Sequence, residues 1–211
     1  MPIISLTVGF LYTNCYIVIC EETRESLIID PGFTGDEMRR ILSEIRKNRL
    51  RIKYIVNTHG HADHISGNTS IKRATGAILA AHCKDAEMLI DPAKNLSLML
   101  GLNVVSPPPD IVLRGEEEIE VGRIKLKVLH TPGHTPGSIS LYCRDLGAVF
   151  TGDSLFAGSI GRADFPGSSC RDLLLSIREK ILALPDETVV YPGHGESTTI
   201  SVERRSNPFL L

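Results

Sequence analysis

One short run of residues constrains this chain more than any other part of its sequence. The run is Thr58-His59-Gly60-His61-Ala62-Asp63-His64, which holds four potential metal ligands although histidine makes up only 7 of the 211 residues. Imidazole groups on neighbouring residues can converge on one ion only where the backbone turns sharply, and the small spacers Gly60 and Ala62 offer little steric resistance to such a turn. No fold requires this pattern for structural reasons, and it therefore predicts a metal site.

Further candidate ligands occur in similar settings later in the chain. His134 lies between two Pro-Gly turns, Asp153 lies in a tight turn and His194 lies between glycines, and each follows an apolar run typical of a strand. Taken singly, each would be interpreted as an ordinary loop residue. Together with the dense motif they indicate one site at the edge of a sheet. The remaining two histidines, His82 and His130, lack this setting and are interpreted as a structural residue and a strand-end residue.

Apolar periodicity predicts short strands that alternate with helices. The expected strands cover residues 16–19, 26–29, 54–57, 78–81, 119–121, 124–129, 138–142, 148–150 and 188–190. The first expected helix starts at a capping box, Thr34 and Glu37, and continues with apolar residues at helical spacing, namely Met38, Ile41, Leu42 and Ile45. Shorter helices are expected at 71–75 and 85–90. The length suits one sizeable core and no internal repeat occurs, so we expect a single α/β domain over residues 1–211.

Composition narrows the classes of partner. The 23 basic residues nearly balance the 25 acidic ones, and because the net charge is only −2 no nucleic-acid partner is expected. The basic run at 46–53 is interpreted as ordinary solvated charge. No stretch of about 18 apolar residues occurs, which predicts no membrane span. Five dispersed cysteines without a Cys-x-x-Cys pair favour a reducing compartment, and we predict a cytoplasmic protein.

The types of ligand indicate the metals that the site would take. Imidazole and carboxylate groups suit zinc, and mixtures of them also accept iron or manganese. We expect two divalent ions, with zinc as the first choice and iron or manganese as alternatives. Two such ions offset by two aspartates would keep a positive charge, which can polarise a carbonyl and lower the pKa of bound water.

The His-x-His-x-Asp-His motif, followed in order by His134, Asp153 and His194, resembles the metallo-β-lactamase superfamily over nearly the whole chain. The resemblance implies an αββα sandwich, in which two mixed β-sheets are flanked by helices and metals bind at one edge. It also implies the ligands: His59, His61 and His134 for one ion, Asp63, His64 and His194 for the other, and Asp153 as a bridge between them.

Within that superfamily, the segment Gly161-Arg162-Ala163-Asp164-Phe165-Pro166-Gly167 resembles the compact branch of the glyoxalase II-like (hydroxyacylglutathione hydrolase-like) hydrolases. The resemblance implies hydrolysis of a small-molecule thioester, such as S-lactoylglutathione or a related acyl-thiol, by a hydroxide that bridges the two ions, with Asp63 as ligand and proton-handling group. It argues against an antibiotic-cleaving lactamase, a branch that generally lacks a carboxylate like Asp153. Arg162 and Asp164 are expected either to orient the substrate or to form a buried salt bridge within their loop.

One departure from the larger glyoxalase II enzymes concerns the thiol carrier. Those enzymes bind glutathione partly through a helical C-terminal domain, whereas only a short segment follows His194 in this chain. We therefore expect the substrate pocket to be built from loops of the sandwich or from a neighbouring subunit, and the carrier need not be glutathione. The sequence makes no prediction of the oligomeric state.

Other functions stay open on the sequence alone. A persulfide dioxygenase of the same fold would use a single iron, for which His59, His134 and Asp153 would suffice, because two histidines and a carboxylate with open positions suit oxygen-activating iron. The presence of His64 and His194 ranks this function below the hydrolase. A non-enzymatic, metal-stabilised binding module is disfavoured because structural zinc usually has a closed shell of four ligands. A nuclease of the superfamily is disfavoured because the chain lacks a strong basic surface run.

Overall fold

The computed structural model describes residues 2–33 and 35–211 and contains two six-stranded sheets. The first sheet consists of β1 (Ile3–Val8), β2 (Thr13–Ile19), β3 (Glu25–Ile29), β4 (Arg51–Val56), β5 (Ile78–His82) and β6 (Ile111–Leu113), which are adjacent in this order. The pairs from β1 to β3 are antiparallel and those from β3 to β6 are parallel. The first sheet is therefore mixed.

The second sheet is formed by the later part of the chain. The strands that follow are β7 (Glu118–Val121), β8 (Ile124–His130), β9 (Ile139–Cys143), β10 (Ala148–Gly152), β11 (Leu155–Phe156), β12 (Ser159–Ile160), β13 (Val189–Pro192) and β14 (Thr198–Thr199). The order in the sheet is β14-β13-β10-β9-β8-β7, while β11 and β12 form a separate hairpin. Strands β10 and β13 are parallel and the other pairs are antiparallel, so this sheet is also mixed.

Helices cover the outer face of each sheet. They are α1 (Glu37–Lys47), α2 (Ala62–Ile65), α3 (Asn68–Thr75), α4 (Ala86–Ile90), a 3₁₀ helix (Ser97–Leu100), α5 (Cys170–Ser176), which continues into a π-helical segment (Ile177–Ile181), and α6 (Ile200–Ser206). Ile41 of α1 and Ile71 of α3 pack on the first sheet, whereas Leu173 of α5 and Ile200 of α6 pack on the second.

Side chains that alternate along the strands separate the layers. On β2, Ile17 packs with α1 and α3 while its neighbour Val18 packs between the two sheets. On β10, Phe150 lies between the sheets while Val149 packs against α5. Because successive residues of a strand point to opposite faces, strands covered on both faces are buried along their whole length. The expected αββα sandwich of two mixed sheets flanked by helices is confirmed.

Most of the expected elements are present, and the exceptions have identifiable causes. The helix predicted from Met38, Ile41, Leu42 and Ile45 is α1, in which Ile41 and Ile45 are buried. Of its predicted capping box, Thr34 lies outside the described residues. Strands β1 and β6 lie at the edges of the first sheet and are partly exposed, so their apolar patterns are weak. The helices α5 and α6 were not predicted, although Ser169 and Thr199 cap them by accepting bonds from backbone N–H groups.

Hydrogen bonds join the two sheets along one edge. Backbone N–H groups of Asn14 and Ile139 donate to the carbonyls of Gly193 and Thr58, at 2.7 and 2.8 Å. The Tyr16 hydroxyl also donates across the sandwich, to the carbonyl of Pro192 at 2.7 Å. The candidate ligands lie along this joined edge. All five cysteines are free thiols, and no helix in the described ranges is long and apolar enough to span a membrane.

Candidate metal centre

The dense histidine motif follows β4 and is only partly a loop. Its first half, up to His61, is a turn, and its second half begins helix α2, in which the N–H of His64 donates to the carbonyl of His61 at 3.0 Å. The sequence interpretation placed all four candidate ligands on a loop, and helix α2 corrects that for Asp63 and His64. A short helical turn was missed because four residues are too few to show periodicity.

Gly60 is required because other residues approach its backbone closely. A Cβ atom at this position would lie 2.5 Å from the Cβ of Met88 and 3.3 Å from the carbonyl oxygen of Asp85. Helix α4 therefore packs directly on the turn between His59 and His61. The sequence interpretation attributed this glycine to a sharp turn, and the structure adds tight packing as the reason for it.

Three histidines converge at the first part of the site, and we call His59, His61 and His134 the first trio. One ring nitrogen of each lies within 4.8 Å of the others, and His61 Nδ1 is 2.9 Å from His134 Nε2. In two of the rings the other nitrogen has a partner, since His134 Nδ1 donates to the Arg162 carbonyl at 2.8 Å and His59 Nδ1 lies 3.1 Å from the Thr58 hydroxyl. These partners assign the proton to Nδ1 of His59 and His134, which leaves Nε2 of each free to bind an ion.

The second trio consists of Asp63, His64 and His194, which are also grouped within 4.8 Å. The Nε2 atoms of the two histidines are 3.3 Å apart, and Asp63 Oδ2 lies 3.3 and 3.2 Å from them. His64 Nδ1 donates to Asp30 at 2.9 Å and His194 Nδ1 donates to the Leu11 carbonyl at 3.1 Å. The ring orientation again directs each Nε2 toward the common centre.

Asp153 lies between the two trios. Its Oδ1 is 3.4 Å from His64 Nε2, and its Oδ2 is 3.6 Å from both His134 Nε2 and His194 Nε2. The preceding Gly152 has a φ of +50°, and a Cβ there would lie 2.3 Å from the Thr58 hydroxyl oxygen. Only glycine suits both this backbone angle and this contact. The carboxylate therefore faces both groups at once.

Two buried polar atoms in this centre have no hydrogen-bond partner, namely His59 Nε2 and Asp153 Oδ1. Buried polar atoms are nearly always bonded, so such atoms call for an explanation. A cation held by imidazole and carboxylate groups supplies one, because these are the ligand types that zinc, iron and manganese accept. The residues present therefore fit a centre for divalent metal ions.

The electrostatics of the two trios differ. Burial, followed by the proximity of other histidines, lowers the pKa of His59 and lowers that of His61 to about 3. Burial acts in the same direction on His64 and His194, but the carboxylates of Asp63 and Asp153 outweigh it and raise the pKa of both rings. Burial opposes ionisation of Asp63, yet His64 and His194 hold the pKa of Asp63 well below its usual range.

Asp30 supports both trios and was missed as a functional residue. Its carboxylate accepts a hydrogen bond from His64 Nδ1. It also accepts hydrogen bonds from the backbone N–H and the hydroxyl of Thr58, at 2.7 and 2.6 Å. Because the Thr58 hydroxyl donates its hydrogen bond to Asp30, the hydroxyl oxygen of Thr58 is free to accept a hydrogen bond from His59 Nδ1. Asp30 also has a φ of +48°, an uncommon conformation for a residue other than glycine. The sequence Asp30-Pro31-Gly32 had indicated only a turn.

Asp85 joins the loops that carry the first trio. It accepts from the N–H groups of Gly60 and Gly137 at 3.0 and 2.7 Å and from the Thr135 hydroxyl at 2.6 Å. Burial raises its pKa, while these donors act in the opposite direction. A lone aspartate before a helix carries no signal for this role in the sequence.

The other candidate residues lie at the margin of the centre or outside it. Arg162 donates to Asp164 through two bonds, at 2.9 and 2.8 Å, and both side chains are 66% exposed. The salt bridge expected as one alternative for this loop is therefore present, but the expectation that it is buried is wrong, because the pair lies at the surface. His82 and His130 stack on each other, with ring centroids 4.1 Å apart, and belong to neither trio.

A pocket of about 310 Å³ opens onto the centre. Its lining includes five of the candidate ligands, His61, Asp63, His134, Asp153 and His194, together with the polar Asn95 and Arg162 and the apolar Leu11, Leu96, Phe156 and Phe165. The aromatic rings flank the ligands, since Phe165 lies 5.5 Å from His61 and Phe156 lies 6.2 Å from His194 between centroids. A small molecule can thus reach both trios from solvent.

The chain is similar to known proteins along nearly its full length. An uncharacterized protein of Mycobacterium tuberculosis, Rv2581c, is 41% identical over 222 residues, covering 100% of this chain and 98% of its own. The probable metallo-hydrolase YqgX of Bacillus subtilis is 37% identical, covering 97% and 95%. The hydroxyacylglutathione hydrolase GloC of Haemophilus influenzae is 36% identical, covering 100% and 98%.

The chain is also similar to solved structures over nearly its full length. The BLEG-1 B3 metallo-beta-lactamase superposes with a TM-score of 0.93 at 37% identity, over 99% of both chains. TTHA1623 in a di-iron-bound form has a TM-score of 0.85 at 34% identity, over 98% of this chain and 100% of its own. ETHE1 from Myxococcus xanthus has a TM-score of 0.82 at 31% identity, over 99% and 84%.

The family model that matches this chain is that of the metallo-beta-lactamase superfamily, over residues 8–194. The match begins in β1 and ends at the last of the candidate ligands. Proteins of this superfamily bind divalent metals, and the two trios and Asp153 offer the histidine and aspartate cluster that such binding needs. From its sandwich fold, its metal-binding geometry and its relatives, the chain belongs to the metallo-beta-lactamase superfamily.

Proposed function

We propose that this chain is a binuclear metal-dependent hydrolase that cleaves a small-molecule thioester, such as S-lactoylglutathione or a related acyl-thiol. The observation that carries the proposal is the pair of trios on either side of Asp153, which share one pocket. The 36% identity to a hydroxyacylglutathione hydrolase over the whole chain supports the choice of a thioester.

Each trio would hold one ion, with Asp153 as the shared ligand. The ligand types suit two zinc ions, and the similarity to a di-iron-bound structure supports iron as an alternative, with manganese also acceptable. Two bound ions would polarise the acyl carbonyl and lower the pKa of bound water. Each trio supplies three ligands and Asp153 would supply a fourth to each ion, so water or substrate would bind where an ion expands to five-coordinate, as catalytic zinc can do.

The protein's own groups would orient the reaction. In thioester hydrolysis a water oxygen bonds to the acyl carbon and the carbon–sulfur bond breaks, which releases a carboxylate and a thiol. Asp63 lines the pocket, where its carboxylate would accept a hydrogen bond from the attacking water and act as the proton-handling group. The Thr13 hydroxyl donates to Asp63 at 3.0 Å and fixes its orientation. Asp30 holds the His64 ring in place.

The test combines elemental analysis with a substrate panel. Protein produced with zinc, iron and manganese available should contain close to two ions per chain, and the same preparation should hydrolyse at least one thioester and lose that activity on chelation. The panel includes a β-lactam, because BLEG-1 is 37% identical to this chain. Cleavage of the β-lactam but of no thioester would overturn the proposal.

A mononuclear iron persulfide dioxygenase is the second candidate. The two histidines and one carboxylate that it requires are present, since His134 Nε2 lies 3.6 Å from Asp153 Oδ2 and His59 belongs to the same trio. The complete second trio favours the hydrolase. One iron per chain, with oxygen consumption on addition of glutathione persulfide, would favour the dioxygenase, and metal binding without either activity would favour a non-enzymatic binding module.

A further inference from the structure

The pocket walls outside the metal centre are mainly apolar. Leu11 and Leu96 form one part of the lining, while Phe156 and Phe165 flank the second and first trios. Asn95, the uncharged polar residue of the lining, is fully buried, and its side-chain amide is used within its own loop. A ligand that enters the pocket therefore meets hydrocarbon on its way to the metal-binding side chains.

The charge of the pocket is also informative. Among the described residues that line it, Arg162 is the one cationic side chain outside the two trios. Its guanidinium already makes two parallel bonds to Asp164 and lies 4.2 Å from the Phe165 ring centre. Such bidentate pairs are directional and hold the guanidinium in one orientation. An anionic thiol carrier would therefore have to compete with Asp164 for the Arg162 guanidinium.

Leu96 is held in the pocket wall by an unusual backbone. Its φ is +66°, a left-handed conformation that is rare for bulky side chains. Asn95 holds this turn in place: its carbonyl accepts from the N–H of Ala62 at 3.0 Å, its Nδ2 donates to the Val104 carbonyl at 2.9 Å, and its Oδ1 accepts from the N–H of Ser97 at 3.0 Å. Because Ala62 lies between His61 and Asp63, these bonds fix Leu96 relative to both trios. Strained residues held in this way are concentrated at functional sites.

Apolar surface continues outward from both leucines. Beyond Leu96, the 3₁₀ helix exposes Leu98 and Met99, at 56% and 71%, and beside Leu11 the turn between β1 and β2 exposes Tyr12 at 75%. The mouth of the pocket is thus extended by hydrocarbon on two sides. An apolar ligand group longer than the pocket would have surface to contact.

We infer that this site selects thioesters whose acyl and thiol portions are apolar and uncharged over anionic glutathione conjugates, and that Leu96 is a specificity-determining residue. The inference rests on the proposed thioester hydrolysis for its substrate class. It goes beyond that proposal by excluding glutathione as the preferred carrier.

The deciding measurement is the dissociation constant of uncleavable thioethers, determined by isothermal titration calorimetry with the metal-loaded full chain. Four ligands combine two carriers, uncharged N-acetylcysteamine and anionic glutathione, with two groups, hexyl and 2-hydroxypropyl. S-hexyl-N-acetylcysteamine should bind at least ~10-fold more tightly than 2-hydroxypropyl-glutathione, and hexyl should improve binding on both carriers. Tighter binding of either glutathione ligand than of its N-acetylcysteamine counterpart, or no gain from hexyl, would overturn the inference.

Leu96→Asn tests the specificity residue without disturbing the backbone. Asparagine is close to leucine in size and tolerates the left-handed conformation, so the variant should fold. It should weaken binding of the hexyl ligands about 10-fold and leave the hydroxypropyl ligands nearly unchanged. Leu175→Asn is the matched control, because Leu175 is exposed on α5 and does not line the pocket. Equal effects of the two substitutions on binding of the hexyl ligands would show that Leu96 does not determine specificity.

Arg162→Gln tests the charge argument directly. If the guanidinium captured a carboxylate of the carrier, the affinity for both glutathione ligands would fall about 10-fold while the N-acetylcysteamine ligands would be unaffected. That outcome would overturn the inference, and the expected outcome is no loss of affinity specific to the glutathione ligands.

If the thioethers bind with the predicted preference but no corresponding thioester is hydrolysed, the proposed function fails while the pocket preference stands. If thioesters are hydrolysed with a preference for those of glutathione, the proposed function stands and the pocket preference fails.

Discussion

The two trios occupy one centre but are organised by different forces. The first trio consists of three imidazole rings on turns that are tied together by Asp85, and the turn between His59 and His61 packs against Met88. The second trio contains the carboxylate of Asp63, and its buried ring His64 is anchored by the carboxylate of Asp30. Tight packing thus preorganises the first trio, whereas charge preorganises the second. Substitutions that remove packing and substitutions that remove charge should therefore affect them differently.

The largest effect is expected at the residue that the trios share. Asp153→Asn removes the charge that faces both, and kcat/KM for the best substrate should fall about 10²- to 10³-fold, with fewer than two ions retained per chain. Activity assays and elemental analysis measure the two effects. Asp145→Asn, at an exposed position just before β10, is the matched control and should change neither. An Asp153→Asn variant with full metal content and normal activity would break the comparison, because the trios would then be independent.

Removal of the charges that support the trios should affect the two trios differently. Asp30→Asn takes the ionised acceptor from His64, and the affinity for the more weakly held ion should fall about 10- to 100-fold in competition titrations with a chelator. Asp85→Asn places an amide N–H against donors and should instead lower the free energy of unfolding by about 2 kcal/mol, with a smaller change in metal affinity. The reverse pattern would show that charge, rather than packing, organises the first trio.

Two glycines sharpen the same comparison at a smaller scale. Gly60→Ala forces a Cβ to within 2.5 Å of Met88 and should destabilise the metal-free protein by about 2 kcal/mol in urea unfolding. Gly193→Ala places a Cβ 2.1 Å from Asp153 Oδ1 and 2.9 Å from His64, so its main effect should be on metal content. Gly76→Ala, with a φ of +72° and open space around it, is the control for backbone strain alone and should cost about 1 kcal/mol. If Gly60→Ala cost no more than this control, tight packing would not explain the first trio.

The smallest effect is a pH dependence outside the centre, which tests whether the pKa of His82 is depressed in the folded state. Burial, and next the stacked His130, lowers the pKa of His82 to about 4 from an ordinary value near 6.5. Between pH 6.5 and 4 the unfolded chain therefore binds a proton that the folded chain does not, so stability falls as the pH falls through this window. We expect His82 to account for about 1 kcal/mol of that loss.

His82→Phe keeps a ring against His130 and removes the titration. Unfolding of the metal-free variant, measured over the same pH range, should show a shallower loss of stability than the unsubstituted chain. Parallel curves for the two proteins would mean that His82 titrates normally in the folded state.

The extent to which sequence predicts this site varies from residue to residue. His59, His61, Asp63 and His64 were identified by their density, and His134, Asp153 and His194 by their glycine-flanked positions after strands; the structure brings all seven together. Their role as ligands stays a prediction, as do the metal identity and the cytoplasmic location. Asp30 and Asp85 were missed, because an aspartate in a turn and an aspartate before a helix look the same whether they bind water or a buried donor.

The elements could be predicted where periodicity is strong. Helix α1 and the central strands have long apolar patterns, whereas β1, β6 and β14 are short or partly exposed and α2 is a single turn. For the same reason, the left-handed turn at Leu96 has no sequence signal, since its conformation is imposed by the bonds of Asn95 to residues elsewhere in the chain.

The sequence by itself determined the kinds of candidate ligand, their spacing within residues 59–64 and the placement of each remaining candidate after a strand, because side-chain chemistry and strand periodicity are local properties. Only the tertiary structure decided which of these side chains meet. His61 and His134 are 73 positions apart, and His64 and His194 are 130 apart. They are neighbours because β8, β10 and β13 end at the same edge of the second sheet, and hydrogen bonds such as that of Asn14 to Gly193 join this edge to the first sheet. Pairing between strands that are distant in sequence depends on how the whole core packs, and no local pattern of residues encodes it.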